Sequence, residues 1–281
     1  MEAGGNPNKK TYILRKFKEF KIERGGFIIM NPEIQFEKSN SDYTGLQVQE
    51  MPYGEMENWY GSKQTYYLDV ITGLEPAEAA GPVAVFIHGG GFTEPCDKRQ
   101  AYIPMFAKEL VKAGYTVISP DYPIFVNGED RDRAVEIGMA DCCKKPALAV
   151  MMVVDYIKNH AEQLHVNPNR LAIFGGSAGG MTAFYAVASR PSAFSAFVNL
   201  WGSPAELPNM TGFPPVLTVH GTEDELVPFE LEQAAQAALE DAGVSHEMIT
   251  LKGCGHTPLG EFDRYMPQIL KFLEKNVSGC R

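Results

Sequence analysis

A serine hydroxyl becomes a useful nucleophile when a turn exposes it, a base takes its proton and nearby donors receive the charge its attack creates. The run Gly175-Gly176-Ser177-Ala178-Gly179 meets the first condition, lying between an apolar stretch, Leu171–Phe174, and a helical pattern that continues to about Ser189. A Gly-x-Ser-x-Gly at a strand-to-helix junction is a nucleophile elbow, a sharp turn that projects the serine oxygen. The flanking glycines suit it because a Cβ there would collide with neighbouring backbone, and the helix N-terminus beyond favours developing negative charge. A phosphate loop fits worse, since no Gly-Lys-Ser/Thr follows. The run His88-Gly89-Gly90-Gly91-Phe92 directly follows the apolar Val83–Ile87. Consecutive glycines bring bare N–H groups close to a ligand, as an oxyanion hole requires. Gly90, Gly91 and Ala178 are the expected donors, and His88 is expected to fix the loop by hydrogen bonding rather than to act as a base.

Six histidines compete for the base: His88, His160, His165, His220, His246 and His256. The first three precede the serine, His220 ends a strand where it can buttress a turn, and His246 sits at a strand start. His256, in the loop Gly253-Cys254-Gly255-His256-Thr257 between the last strand and the last helix, is the best candidate. The segment His220-Gly221-Thr222-Glu223-Asp224-Glu225 follows another strand and offers three carboxylates. Phe92, Tyr122, Phe125 and Trp201 follow strand ends, where they could line an acyl or aryl pocket or serve as rim packing. Glu94 and Asp97 lie just past the glycine loop and read as surface charges.

These residues need a scaffold that delivers strand ends to one edge. From about residue 65, strand-like runs (Thr65–Thr72, Val83–Ile87, Thr116–Ser119, Leu171–Phe174, Phe194–Leu200, Val216–His220 and Glu247–Leu251) alternate with helical ones. The helical runs are Gln100–Ala113, Pro146–Leu164, the one after the elbow, Glu230–Ala242 and Phe262–Asn276. Such alternation predicts an α/β fold with a mostly parallel sheet covered by helices on both faces. Ligands of such sheets sit beyond the carboxyl ends of the strands, where the chemistry-bearing residues fall.

Composition sets outer limits. The chain has 281 residues, 44% apolar and 21% charged, and a net charge of −10 that argues against general affinity for nucleic acid. Residues 9–24 run against that trend with seven cations and two anions, and with Ile13, Phe17 and Phe20 at helical spacing. Residues 1–42 are therefore expected to form an N-terminal arm or lid that docks on the acidic body or on a second copy, giving a homo-oligomer; residues 43–281 form the catalytic domain. The longest apolar run, Ala147–Val154, is eight residues, far short of a membrane span. The first ten residues lack the apolar core of a secretory signal, so a cytoplasmic location is expected, with secretion after loss of a signal the other option. The five cysteines show no metal-binding spacing, and neither metal nor cofactor is expected.

Together the motifs resemble the α/β-hydrolase superfamily, specifically HGGG-type carboxylesterases, over roughly residues 43–275. The GGSAGG run is similar to that of hormone-sensitive-lipase-like esterases, which more often carry Asp at the position of Gly176. The HGTEDELVP run looks more like compact acetyl-xylan and feruloyl esterases. That likeness selects Asp224 as the acid, with Glu223 and Glu225 as solvated flanks, and the order Ser177, Asp224, His256 matches the superfamily. The 47 residues from Ser177 to Asp224 leave no room for a cap domain. The resemblance implies a serine carboxylic-ester hydrolase working through an acyl-enzyme on small acyl or aryl esters, including acetyl or feruloyl esters of sugars. A prolyl-oligopeptidase-like peptidase or amidase, and a non-catalytic ligand receptor on an esterase scaffold, are the alternatives.

Overall fold

The computed structural model describes residues 42–75, 77–93, 96–125 and 137–278. The expected N-terminal arm, apart from Asp42, lies outside them, as do Glu94, Cys280 and most of the loop after Phe125.

Eight strands form one sheet among the described residues: β1 (Leu46–Glu57), β2 (Lys63–Gly73), β3 (Gly81–Ile87), β4 (Thr116–Pro120), β5 (Val166–Gly176), β6 (Ala196–Leu200), β7 (Val216–Gly221) and β8 (His246–Leu251). Their spatial order is β1-β2-β4-β3-β5-β6-β7-β8. β1 and β2 form an antiparallel hairpin, β2 pairs antiparallel with β4, and every later pairing is parallel. The pleat sends alternate residues to opposite faces. Val83, Val85 and Ile87 of β3 join one apolar cluster, whereas Ala84 and Phe86 join the other. Helices α2 (Met139–Asn159), α3 (Ala178–Ser189) and α4 (Phe229–Asp241) pack into the first cluster through Val153, Phe184 and Leu239. Helices α1 (Tyr102–Lys112) and α5 (Phe262–Leu273) pack into the second through Phe106 and Phe272.

Three elements depart from the sequence expectation. β1 carries Pro52 and Gly54, which weaken a strand pattern, and the register shifts between them. Proline is tolerated there because β1 is a sheet edge, where a missing N–H breaks no inner ladder. α2 begins seven residues before the expected Pro146, which therefore lies inside the helix instead of in its first turn; ten buried residues, from Cys142 and Cys143 to Ile157, hold it in place. α5 ends at Leu273 and continues as a wider turn over Glu274–Ser278. Between β6 and β7 the chain runs through residues 201–215 with no helical insertion, as the short Ser177–Asp224 spacing implies. No helix among the described residues is long and apolar enough to cross a membrane.

Candidate active site

Ser177 stands between β5 and α3 with φ 54° and ψ −121°, a left-handed conformation that non-glycine residues rarely adopt. The crowding around it explains the glycines. A Cβ on Gly175 would lie 2.3 Å from the Gly179 carbonyl oxygen, and one on Gly179 would lie 2.1 Å from that of Ile87. Both obstacles are backbone and cannot rotate away. Gly179→Ala should therefore lower the unfolding free energy by about 3 kcal/mol, at the upper end of overpacking costs; a urea titration with an unchanged midpoint would refute the close packing. The Ser177 N–H donates to the Leu200 carbonyl at 2.9 Å, tying the turn to β6.

Asp224 and His256 arrive on two loops that are laced together. The Glu223 N–H donates to the Cys254 carbonyl at 2.9 Å, the Gly253 N–H to Thr222 Oγ1 at 2.9 Å, and the Thr222 N–H to the Leu251 carbonyl at 3.0 Å. His256 Nε2 lies 2.9 Å from Ser177 Oγ, and its Nδ1 lies 2.8 Å from Asp224 Oδ2. The three side chains thus meet in the order serine, imidazole, carboxylate. Asp224 Oδ1 accepts from the Leu226 and Val227 N–H groups at 2.9 and 2.8 Å. Burial by itself would raise the Asp224 carboxyl, but hydrogen bonds from His220, His256 and Val227 outweigh it and hold the group well below the usual carboxylate range. The flanking Glu223 and Glu225 take no part in this contact; Asp224 alone of the three reaches the imidazole.

The glycine loop closes on the elbow from β3. A Cβ on Gly89 would fall 2.8 Å from the Gly176 carbonyl and 3.1 Å from the Ser177 Cβ, which measures how near the loop runs. The Gly89 N–H is already engaged, donating to both Gln100 Oε1 (2.9 Å) and Tyr102 Oη (2.8 Å). Gly90 and Gly91 follow with φ 100° and 60°, and their N–H groups make no hydrogen bond among the described residues. Ala178 opens α3, so its N–H is one of the helix's unshared donors. His88 is fully buried; its Nδ1 lies 2.9 Å from the Gly89 carbonyl and its ring stacks on Tyr122 at 4.1 Å. Burial lowers its pKa, so the ring is a neutral brace. The Tyr122 hydroxyl donates to the His88 carbonyl at 2.7 Å. His160 and His246 bond carbonyls of their own segments, at Tyr156 and Val244, away from the serine.

The four aromatic residues weighed between pocket wall and rim packing are all buried. Phe92, Phe125 and Trp201 are fully buried, and Tyr122 is 2% exposed. Phe92, Tyr122 and Phe125 belong to one apolar cluster and Trp201 to the other, so the four do not converge. Trp201 meets Tyr102 edge-on at 5.8 Å, while Phe125 stacks on Trp59 at 4.8 Å. Residues after strand ends gather at one edge of the sheet, but whether each faces the cleft or the core depends on backbone rotation. Phe92 and Trp201 both have positive φ and are fully buried. Sequence reading passed over Gln100 and Tyr102, whose grip on Gly89 spans eleven and thirteen residues and leaves no local signature. It also passed over Glu232, fully buried on α4, whose one clue is that it precedes Ala235 and Leu239 by three and seven residues on the apolar face.

Comparison with known proteins agrees with this architecture. Two family models match, BD-FAE over residues 68–194 and Phospholipase/Carboxylesterase over residues 145–277. Carboxylesterase SOBER1 of Arabidopsis thaliana is 32% identical over 120 residues, covering 40% of this chain and 53% of that protein. The chain thus spans about half the length of the curated relative it matches. Among solved structures, MGS-M1, an alpha/beta hydrolase enzyme from a Medee basin deep-sea metagenome library, superposes with a TM-score of 0.66 at 17% identity, covering 83% of this chain and 99% of that one. A bacterial heroin esterase gives 0.64 at 18% identity, with 85% and 87% covered. The thermophilic esterase Est2 of Thermogutta terrifontis gives 0.63 at 19%, with 83% and 93% covered. At these identities the structures speak for the fold. Its sheet order, its elbow and these superpositions give the chain the fold of such alpha/beta hydrolases, and over part of its length its sequence is similar to that of a carboxylesterase.

Proposed function

We propose that the chain is a serine carboxylic-ester hydrolase acting through an acyl-enzyme at Ser177. The observation that carries this reading is the single imidazole, His256, within hydrogen-bond reach of both Ser177 Oγ and the Asp224 carboxylate. In this reaction His256 Nε2 accepts the Ser177 proton while Oγ attacks the ester carbonyl. Asp224 holds the Nδ1–H tautomer and stabilises the imidazolium. The N–H groups of Gly90, Gly91 and Ala178 receive the oxyanion, each donor contributing about 3–4 kcal/mol by analogy with oxyanion-hole deletions. The imidazolium then protonates the leaving alcohol, and a water activated by the same base releases the acid. The engaged N–H of Gly89 supports leaving that residue out of the donor set.

The substrates proposed are small acyl or aryl esters, with acetyl and feruloyl esters of sugars as the natural class, on the likeness of the acid loop to compact esterases. Residues 43–281 would suffice as the catalytic unit. A receptor reading has no use for an imidazole shared between a strained serine and a low-pKa carboxylate. The test is a panel of p-nitrophenyl acetate, butyrate and octanoate, methyl ferulate and an acetylated sugar, with stoichiometric labelling by a fluorophosphonate. Hydrolysis of the short esters and one label per chain on Ser177 are expected. No turnover on any ester together with no label would overturn the proposal.

A further inference from the structure

After β3 the chain runs through Gly89, Gly90 and Gly91 in succession, and a glycine backbone turns either way at little cost. Contacts from outside the run must therefore decide where its N–H groups point. A trans peptide is planar, with its carbonyl and its N–H on opposite sides, so a grip on one end aims the other.

The plane joining Gly89 to Gly90 has its carbonyl held by His88 Nδ1 at 2.9 Å, and because a carbonyl only accepts, that nitrogen carries the hydrogen. The plane joining Gly90 to Gly91 has its carbonyl held by the Thr93 N–H at 3.2 Å and by the Thr93 hydroxyl at 3.3 Å. With both carbonyls taken, the Gly90 and Gly91 N–H groups are left on the other side, unbonded among the described residues. The plane before them, joining His88 to Gly89, is gripped at both ends. Its carbonyl accepts from the Tyr122 hydroxyl at 2.7 Å, and its N–H donates to Gln100 Oε1 at 2.9 Å and Tyr102 Oη at 2.8 Å.

The two acceptors are themselves fixed. Tyr102 opens α1 and is 7% exposed, with its ring 6.0 Å from that of Phe86 and 5.8 Å from that of Trp201. A Cβ on Gly176 would lie 2.7 Å from Tyr102 Oη, and one on Gly89 would lie 3.3 Å from it. The hydroxyl thus fills the gap between the glycine loop and the elbow, against both. Gln100 donates its N–H to the Asp97 carbonyl at 3.3 Å and accepts from the Ile103 N–H at 2.9 Å, which anchors its backbone at the head of α1. Neither side chain hydrogen-bonds Ser177 or His256 among the described residues.

We propose that Gln100 and Tyr102 are positioning residues of the oxyanion hole: by holding the Gly89 N–H they fix the first peptide plane of the loop, and with it the direction in which Gly90 and Gly91 present theirs. The proposal rests on reading Ser177 as the nucleophile and Gly90, Gly91 and Ala178 as the donors. Donors aimed before the reaction cost no reorganisation when the charge develops.

The two acceptors share one hydrogen, so each can cover for the other. Gln100→Met or Tyr102→Phe alone should lower kcat for p-nitrophenyl acetate by about threefold, and the double variant by about 10^2-fold, the cost of misplacing reacting groups by about 1 Å. The kcat and kcat/KM values should fall together while KM stays within about twofold, the mark of an interaction made in the transition state alone. A merely structural role would lower Tm, and the loss of folded protein, counted by circular dichroism, would account for the whole loss of rate. A folded double variant with kcat within about twofold of the unmodified protein would overturn the proposal and leave the esterase reading in place.

The second measurement is amide hydrogen exchange by NMR on protein carrying nitrogen-15 glycine, which needs no turnover. The Gly89 amide is expected to exchange slowly, and Tyr102→Phe with Gln100→Met should speed it by about tenfold or more. A Gly89 amide without protection in the unmodified protein would overturn the proposal. If the unmodified protein hydrolyses no ester while the variants still release the Gly89 amide, the esterase reading fails and the grip on the loop stands.

Discussion

Ser177→Ala should lower kcat/KM for p-nitrophenyl acetate by about 10^4 to 10^6-fold, the range seen when the nucleophile of such a set is removed. What remains would come from the oxyanion donors and from binding. Alanine inherits the serine's position at φ 54°, so the backbone strain is the same before and after the change. No side-chain hydrogen bond other than that to His256 is lost. The Tm should therefore stay where it is, and the fluorophosphonate label should vanish. Retention of more than about a tenth of the turnover would show that another group performs the attack.

Asp224→Asn should cost about 10^4-fold in kcat while leaving the fold intact, for a reason visible in the carboxylate's four partners. Oδ1 accepts two backbone N–H groups, from Leu226 and Val227, so the amide NH2 of an asparagine cannot sit there without facing two donors. It must take the Oδ2 position, which faces His256 Nδ1 and His220 Nε2. His256 then has to offer the amide a lone pair, and its proton moves to Nε2. That nitrogen is 2.9 Å from Ser177 Oγ and can no longer receive the serine proton. Steady-state kinetics with circular dichroism as the fold control check the result. A variant with a rate within about tenfold of the original would mean that the carboxylate does not set the tautomer.

The chemistry was legible because glycines report backbone constraints directly. A Cβ at Gly175 or Gly179 would strike carbonyl oxygens, and only a glycine at both positions lets the elbow form. His256 stood out for a similarly local reason, being the histidine in a loop after the last strand. The alternation of strands and helices was legible because the inner strands are buried on both faces and read as continuous apolar runs. Edge strand β1 escaped notice because only one of its twelve residues is buried, so its sequence carries little apolar pattern.

Other features depended on contacts between residues far apart in the chain. Trp201 and Phe125 are buried in separate apolar clusters, which their similar places near strand ends do not reveal. Tyr102 reaches Gly89 across thirteen positions, and Glu232 meets Asn199 across thirty-three. Sequence by itself determined which residue types could attack, accept a proton and receive an oxyanion, because those demands are written in local turns and strand ends. Only the tertiary structure decided which histidine reaches the serine, which of three adjacent carboxylates turns toward that histidine, and that a buried Glu232 meets Asn199 and Gln236. Those choices are distances through space between separate loops, set by how the sheet twists and the helices pack, and no spacing along the chain encodes them.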